Sequence, residues 1–317
     1  MGVLQEALDA EKRIKGHVIE TQLEHSKFLS DLGNCNVFLK LENMQITGSF
    51  KLRGSMNKIL STIENENEAE FVTASSGNHG LAFAYAINKL GIKGRIFLPT
   101  TTSNAKREPI EQYDVEVNIY GDDCVKTEIH AREIAKRRGL VFVSPYNDSK
   151  VIAGQSTIAI ELEKQLNTID YILVPVGGGG LISGIAGYLK EKKSSVMIIG
   201  CQPINSAVMY ESIKAGKILD LPSKPTLSDG TAGGIEENSI TFDLCRQYVD
   251  DYILVTEDEI KEAIKLIFKK HHMQIEGAAA LSVASFIKNS KKFEGKNVVL
   301  ILSGSKIEAA EFKKIIR

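Results

Sequence analysis

Three short loops carry residue types that could do chemistry. The first is Thr47-Gly48-Ser49-Phe50-Lys51-Leu52-Arg53-Gly54. A lone lysine between Phe50 and Leu52 is out of place on a solvated surface. Apolar neighbours lower an amine's pKa by desolvation, and a neutral amine is what Schiff-base chemistry requires. The bland alternative is a solvated lysine at a helix start. It weakens because the flanking glycines and hydroxyls let a phosphate-bearing ligand come close. The second loop is Ser75-Ser76-Gly77-Asn78-His79-Gly80, which follows an apolar run and opens a helical pattern. Hydroxyls and free N–H groups at a helix N-terminus suit a carboxylate or phosphate. Ordinary N-capping by Ser76 or Asn78 is the alternative, and His79 could equally be a satisfied structural histidine. The third is Val174-Pro175-Val176-Gly177-Gly178-Gly179-Gly180-Leu181. Four glycines between a buried strand and a helix exceed what a tight turn demands, and their N–H groups can converge on a phosphate. The pattern is neither a dinucleotide fingerprint nor a Walker loop.

A lysine amine, an anion loop and a separate phosphate loop together suit a phosphorylated aldehyde that condenses with an amine. Pyridoxal phosphate fits that description. A fourth loop, Leu302-Ser303-Gly304-Ser305-Lys306, follows the last strong apolar run. Ser303 there could hydrogen-bond the pyridine nitrogen, or merely N-cap the final helix.

Elements of the right kind surround these loops. Apolar strands alternate with helical patterns: Val72–Ser75, helix Leu81–Leu90, Gly94–Leu98, helix Ser103–Tyr113, Val115–Tyr120, helix Asp122–Arg138 and Leu140–Ser144. A second series runs through helix Val151–Leu166, Tyr171–Val176, helix Leu181–Lys190 and Val196–Cys201. It ends with Tyr252–Val255, helix Glu257–His271, a helix from Gly277 and Asn297–Leu302. Such alternation implies parallel sheets with helices on both faces, here in two series that sandwich a cleft. Gly216–Gly234, with Pro222 and Pro225 and no clear period, reads as a linker.

Composition fits this architecture. The 317 residues predict roughly two domains. Against 40 Asp+Glu stand 39 Lys+Arg, for a net charge of -1, so there is no basic footprint for nucleic acid and no polybasic membrane anchor. No apolar run reaches the ~20 residues of a membrane helix, and the charged, amphipathic N-terminus has no signal-peptide core. The four cysteines, Cys35, Cys124, Cys201 and Cys245, form no local zinc pattern and read as free thiols of a reduced cytoplasm.

The stretch Lys40–Gly54, KLENMQITGSFKLRG, resembles the cofactor-lysine motif of fold-type II pyridoxal-phosphate enzymes, most closely the serine/threonine dehydratase and serine racemase family. Ser76–Gly80 resembles that family's substrate loop, Gly177–Gly180 its phosphate loop and Ser303-Gly304 its pyridine-nitrogen loop. Ala153-Gly154-Gln155 and VTEDEI at Val255–Ile260 also match, so the resemblance spans nearly the whole chain. It implies a tryptophan synthase β-like fold of two parallel-sheet α/β domains with the cofactor between them. The large domain would comprise 1–69 and 148–317, and the small one, with the substrate loop, 70–147.

The resemblance makes Lys51 the Schiff-base lysine and proton shuttle at Cα, and Ser76 the catalytic residue on the opposite face. Phe50 would pack beside the ring, Asn78 bond its 3′ oxygen, Gly177, Gly178, Gly179 and Gly180 cradle the phosphate, Gly230 line the ring and Ser303 face its nitrogen. Ser75, Ser76, Asn78 and His79 would hold the substrate carboxylate. Glu276 opens a helix nearby, where a carboxylate is also favoured by the helix N-terminus alone.

Two departures stand out. The family's Ser-Gly-Gly-Asn becomes Ser303-Gly304-Ser305-Lys306. Its divalent-metal site, which begins Glu-Pro, becomes Gln202-Pro203 with Val208 further on, so no metal is expected.

The expected activity is β-elimination of a β-hydroxy-α-amino acid of the L-threonine or L-serine type to a 2-oxo acid and ammonia. The expected setting is a cytoplasmic homodimer without nucleic-acid or membrane partners. Serine racemisation and hydroxyaspartate dehydration remain alternatives within the family. A non-catalytic metabolite-binding protein would lack Lys51 or the glycine loop, and a β-replacement synthase usually carries Thr in its asparagine loop. The chain stops soon after Ser303, which suggests the short, catabolic form.

Overall fold

In chain order the elements begin with α1 (Val3–Ile14), β1 (Leu23–His25), α2 (Lys27–Gly33), β2 (Asn36–Lys40) and α3 (Lys51–Ile63). Next come β3 (Phe71–Ala74), α4 (Asn78–Leu90), β4 (Gly94–Leu98), α5 (Asn104–Glu111), β5 (Glu116–Ile119), α6 (Cys124–Arg138) and β6 (Val141–Phe142). The rest are α7 (Ser149–Gln165), β7 (Tyr171–Pro175), α8 (Gly180–Glu191), β8 (Met197–Pro203), α9 (Val208–Ala215), α10 (Ile240–Tyr248), β9 (Asp251–Val255), α11 (Glu257–His271), α12 (Gly277–Lys288), β10 (Asn297–Ile301) and α13 (Ala309–Ile316). The structure, a computed structural model, describes residues 2–317. No described helix is long and apolar enough to cross a membrane.

Two sheets result. One has the order β1-β2-β10-β7-β8-β9, the other β5-β4-β3-β6. All pairings are parallel except β1 with β2, where Leu23 lies opposite Lys40. The central strands of the larger sheet are near-continuous apolar runs because both faces are covered. Leu173, Ile199 and Leu300 pack under α11 and α12 with Ile264, Leu281 and Phe286. Their neighbours Ile172, Val174, Ile198, Val299 and Ile301 face the other way, onto Ile158 of α7 and Ile182 and Ile185 of α8. That is the period of two expected for a strand.

Helix α3 joins the two halves. Its Leu52, Met56 and Ile59 pack with Phe71 of β3 and Ala82 and Phe83 of α4. Its opposite face crosses α7 at a glycine pair. A Cβ on Gly154 would stand 2.4 Å from Arg53 O, and one on Gly54 would stand 2.8 Å from Val151 O. Only glycine permits so close a crossing, and it sets the first turn of α3, with Lys51, between the sheets.

The β/α alternation is as expected, with differences where local signal is weak. β1 and β2 carry no clear pattern: the first has three residues and edges the sheet. VTEDEI is a capping box: Thr256 Oγ1 accepts the Glu259 N–H, and Glu259 Oε2 accepts the Thr256 N–H. Gly216–Gly234 is not a linker. It loops over the ends of the larger sheet, held by Leu227 N–H on Glu257 Oε2 (2.7 Å) and Asn205 Nδ2 on Pro225 O (2.7 Å). Its path is set by such contacts, which leave no periodic trace.

Candidate active site

Three of the chemically loaded loops leave the carboxyl ends of parallel strands: Ser75–Asn78 from β3, Gly177–Gly180 from β7 and Ser303–Lys306 from β10. Ligands of open α/β sheets collect at such ends. The lysine loop is stitched to the last of these. Phe50 N–H donates to Ser303 O (3.2 Å), Ser305 N–H donates to Gly48 O (3.0 Å), and Ser49 bridges Gly304. Gly48 sits at φ +75°, which a side chain would strain. The Ser305-Lys306 departure thus leaves the loop ordered.

Lys51 is the first residue of α3 and Phe50 its N-cap. The amine donates to Pro145 O (2.8 Å) and lies 5.3 Å from the Phe50 ring centroid. Burial pushes it down to about 8, against the pull of the Glu276 carboxylate. A large neutral fraction is therefore available slightly above neutral pH, as a nucleophilic amine needs.

Arg53 lies two residues on and anchors this turn. Its guanidinium holds both Glu42 oxygens (2.8 Å each) and meets Glu161 at 2.5 and 2.9 Å, while Lys40 Nζ reaches Glu161 at 2.5 Å. Burial works against these charges, yet Arg53 holds Glu42 below the usual carboxylate range, and the two acids hold Arg53 raised.

The substrate loop differs from expectation in its start. α4 begins at Asn78, capped by Gly77, and no side chain caps it. Neither Ser76 nor Asn78 spends its side chain on N-capping. Ser75 Oγ accepts the Gly77 N–H (3.2 Å), and the side chain of half-buried Ser76 makes no hydrogen bond among the described residues. Asn78 Nδ2 donates to both oxygens of Glu276 (3.0 and 2.9 Å), which leaves Asn78 Oδ1 buried without a partner.

His79 was expected among the groups that hold the substrate carboxylate, and its ring points into the small sheet. Nε2 meets Thr73 Oγ1 (3.0 Å) and Val143 O (2.9 Å). Burial pushes it down to about 3, and the Lys51 charge adds to this. A ring that stays neutral offers a carboxylate no charge; only the backbone N–H of His79, in the first turn of α4, remains for an anion. In the folded state His79 resists protonation that the unfolded chain accepts near pH 6.5. Its stabilising contribution is therefore present above 6.5 and lost as pH falls towards 3. Thermal unfolding followed across that window should show a steeper acid-side decline for the wild type than for His79→Gln; parallel declines would contradict this.

The glycine loop is built for close approach. A Cβ on Gly177 would stand 2.9 Å from Thr231 Cα, one on Gly178 2.6 Å from the Tyr146 ring, and one on Gly180 3.0 Å from Tyr146 Cβ; Gly179 takes φ +86°. No backbone acceptor takes the N–H groups of these four residues, which open α8. Thr241 Oγ1 pins Gly178 O (2.6 Å). Gly230 lies in a short turn, Asp229–Thr231, where a Cβ would stand 3.6 Å from Glu276 Oε1.

Glu276 opens a helix here as the sequence suggested, whereas Pro145 and Tyr146 escaped the sequence. Glu276 heads α12 but makes no capping bond. It accepts from Asn78 and from Lys306 N–H (3.1 Å), and burial pushes it up to about 7. Pro145 acts through a loop carbonyl and Tyr146 through its ring, and neither has a sequence signal. Ser303 is not the cap of the final helix, which begins at Ala309. It is buried and its Oγ has no partner.

These donors fit pyridoxal phosphate. The four-glycine cradle would take the phosphate, the buried unpartnered Ser303 hydroxyl the ring nitrogen, Asn78 the ring oxygen and Lys51 the aldehyde. The region of the family's metal site is held differently. Gln202 Oε1 accepts the Tyr210 N–H (2.8 Å), and Ser206 Oγ meets Ser223 Oγ (2.7 Å) and accepts the Gly233 N–H (3.2 Å). Turnover should therefore be unchanged by EDTA and by added Mg²⁺ or Ca²⁺; severalfold activation by either ion would overturn this.

Comparison with known proteins agrees with that chemistry. A family model described as pyridoxal-phosphate dependent enzyme matches residues 14–304. The catabolic L-threonine dehydratase of Escherichia coli K12 is 34% identical over 314 residues, 98% of this chain and 95% of that protein. The structure of the processed form of threonine deaminase isoform 2 from Solanum lycopersicum superposes with a TM-score of 0.93 at 32% identity, covering 99% of this chain and 92% of that one. Maize serine racemase does so with a TM-score of 0.92 at 29% identity, covering 98% and 95%.

Proposed function

Because this chain belongs to the pyridoxal-phosphate dependent enzyme family, we propose that it is an ammonia-lyase that converts L-threonine or L-serine-type β-hydroxy-α-amino acids to a 2-oxo acid and ammonia. The observation that carries this is how the loops join around the half-buried amine of Lys51: Lys51 Nζ holds Pro145 O, Tyr146 packs on Gly178 and Gly180, and Phe50 N–H holds Ser303 O. When bound, pyridoxal phosphate supplies an aldehyde that condenses with amines and a ring that accepts electron density from Cα.

The chain's own groups do the rest. The N–H groups of Gly177–Gly180 bind phosphate, as loop amides at a helix N-terminus do. Ser75, Ser76, Asn78 and the first-turn N–H groups of α4 bind the substrate carboxylate. Phe50 would pack beside the ring, and Gly230 would leave room for it. Lys51 Nζ takes the proton from Cα, a role its lowered pKa suits. Ser303 presents a neutral hydroxyl, which holds a ring nitrogen protonated less firmly than a carboxylate would. With the group bound, this would favour prompt loss of the β-hydroxyl, which would leave as water with a proton equivalent to the one Lys51 takes from Cα. Water lost there returns on hydrolysis, which yields the oxo acid and ammonia.

A cleft between a domain of 1–69 with 148–317 and one of 70–147 follows from the same reading. It is supported by the origin of the two sheets, one built from 23–40 and 171–301, the other from 71–142. We also infer a cytoplasmic homodimer, for which the four free cysteines support a reducing compartment.

Racemisation is the second reading. The Ser76 hydroxyl, which has no hydrogen bond among the described residues and which the family resemblance places on the face opposite Lys51, favours it as a proton donor to the other face of Cα, and the maize enzyme shares the fold. Incubating the holoenzyme with both enantiomers of serine, threonine and 3-hydroxyaspartate decides. Oxo acid and ammonia from an L-hydroxy-amino acid support the lyase. Inverted amino acid without ammonia would replace it with the racemase, and cofactor binding without any turnover would leave a binding protein.

A further inference from the structure

Burial pushes the amines of three lysines down: Lys40, Lys51 and Lys306. Two have acceptors. Lys40 Nζ donates to Glu161, Thr21 O and Gln165, and Lys51 Nζ donates to Pro145 O. Lys306 is half-buried, and among the described residues its ammonium makes neither a hydrogen bond nor an ion pair. A desolvated cation without an acceptor is costly, so an anionic ligand there would be bound strongly.

Its position says which ligand. Lys306 follows the Ser303-Gly304 turn, and its N–H donates to Glu276 Oε2 at 3.1 Å. The other side of that carboxylate carries Asn78 of the substrate loop, and Gly304 lies so close that a Cβ would stand 2.6 Å from Glu276 Oε1. Lys306 thus belongs to the wall of the cleft that faces substrate. The other acids nearby are engaged: Asp229 pairs with Lys106 (3.2 Å) and Glu308 accepts from Ser103 (3.3 Å). Glu276 is itself the acceptor of Asn78 and of the Lys306 N–H, and burial pushes it up to about 7, so only part of its charge is present near neutral pH to offset the Lys306 ammonium or repel an incoming anion.

We propose that Lys306 is a specificity residue whose ammonium receives an anionic group on the β-carbon of the substrate. The preferred class is then β-hydroxy-α-amino acids with a β-carboxylate, 3-hydroxyaspartate in the simplest case. This rests on the ammonia-lyase reading above. The phosphate and the α-carboxylate are served by the glycine loop and the α4 loop, so the third cation is left for a third anion. The methyl of threonine or the hydrogen of serine would leave it unpaired, which discriminates against them.

The test uses the holoenzyme and Lys306→Gln and Lys306→Arg variants. The kcat/KM ratio of 3-hydroxyaspartate, both diastereomers, to L-serine should fall by about tenfold or more in Lys306→Gln, chiefly through KM, and recover in Lys306→Arg. A second readout needs no turnover: succinate binding, followed by cofactor absorbance, should weaken by a similar factor in Lys306→Gln alone. A substrate ratio indifferent to Lys306 would overturn the subsite and leave the lyase standing. No turnover of any amino acid, with succinate binding still dependent on Lys306, would overturn the lyase and support the subsite. Succinate binding indifferent to Lys306 counts against the subsite in either case.

Discussion

Lys51→Ala is expected to lower turnover by roughly 10²–10⁴-fold or more, because one side chain supplies both the amine that holds the cofactor and the base at Cα. The wild type should be yellow, and borohydride followed by digestion should leave the reduced cofactor on the peptide that contains Lys51. Stability should not follow activity. Among the described residues the amine's only hydrogen bond is to Pro145 O, and its burial already disfavours the charge, so removing it costs the fold little. A melting temperature equal to or above that of the wild type, together with lost turnover, separates a chemical role from a packing role. An adduct on another lysine, or near-normal turnover in Lys51→Ala, would sink the assignment.

Arg53→Ala should do the opposite and act first on the fold. It strips the shared cation from Glu42 and Glu161, which are buried with Lys40. Breaking a buried ion pair from one side costs about 3–5 kcal/mol, because the abandoned charge stays desolvated. For a chain of this size the unfolding midpoint should fall on the order of 10 °C. Arg53→Lys should rescue little, since an ammonium cannot reproduce the two-pronged contact with Glu42. The cluster ties the segment before Lys51 to α3 and α7, so cofactor retention should drop with stability. A midpoint within a degree or two of the wild type would show that water or local relaxation compensates for the lost guanidinium.

The β/α alternation was legible because continuous Val/Ile/Leu runs and amphipathic helices leave local signatures. Lys51, Gly177–Gly180 and Ser303 also stood out, since each sits in a run of glycines, hydroxyls or apolar neighbours that is itself informative, and the proposed site rests on them. His79 shows the limit. Its place beside Asn78 suggested a ligand contact, but at the start of α4 adjacent side chains point to different faces, and this one turns to Thr73 and Val143. Gly216–Gly234 lacked a pattern for a related reason: contacts with distant residues shape it.

The sequence by itself determined what single loops offer: an amine with apolar neighbours, four glycines whose N–H groups can converge, a hydroxyl-rich helix start and a hydroxyl beyond the last strand. These depend on residues within a few positions of one another, where type and spacing suffice. Only the tertiary structure decided how the loops act on each other. Asn78 and Glu276 are 198 positions apart, and Lys306 is 30 beyond Glu276, yet they share one carboxylate. Arg53 and Glu161 are 108 apart and share one buried ion cluster. The pKa shifts of Lys51, Glu276 and His79 come from burial and neighbours that only the closed fold supplies, so no local pattern could announce them.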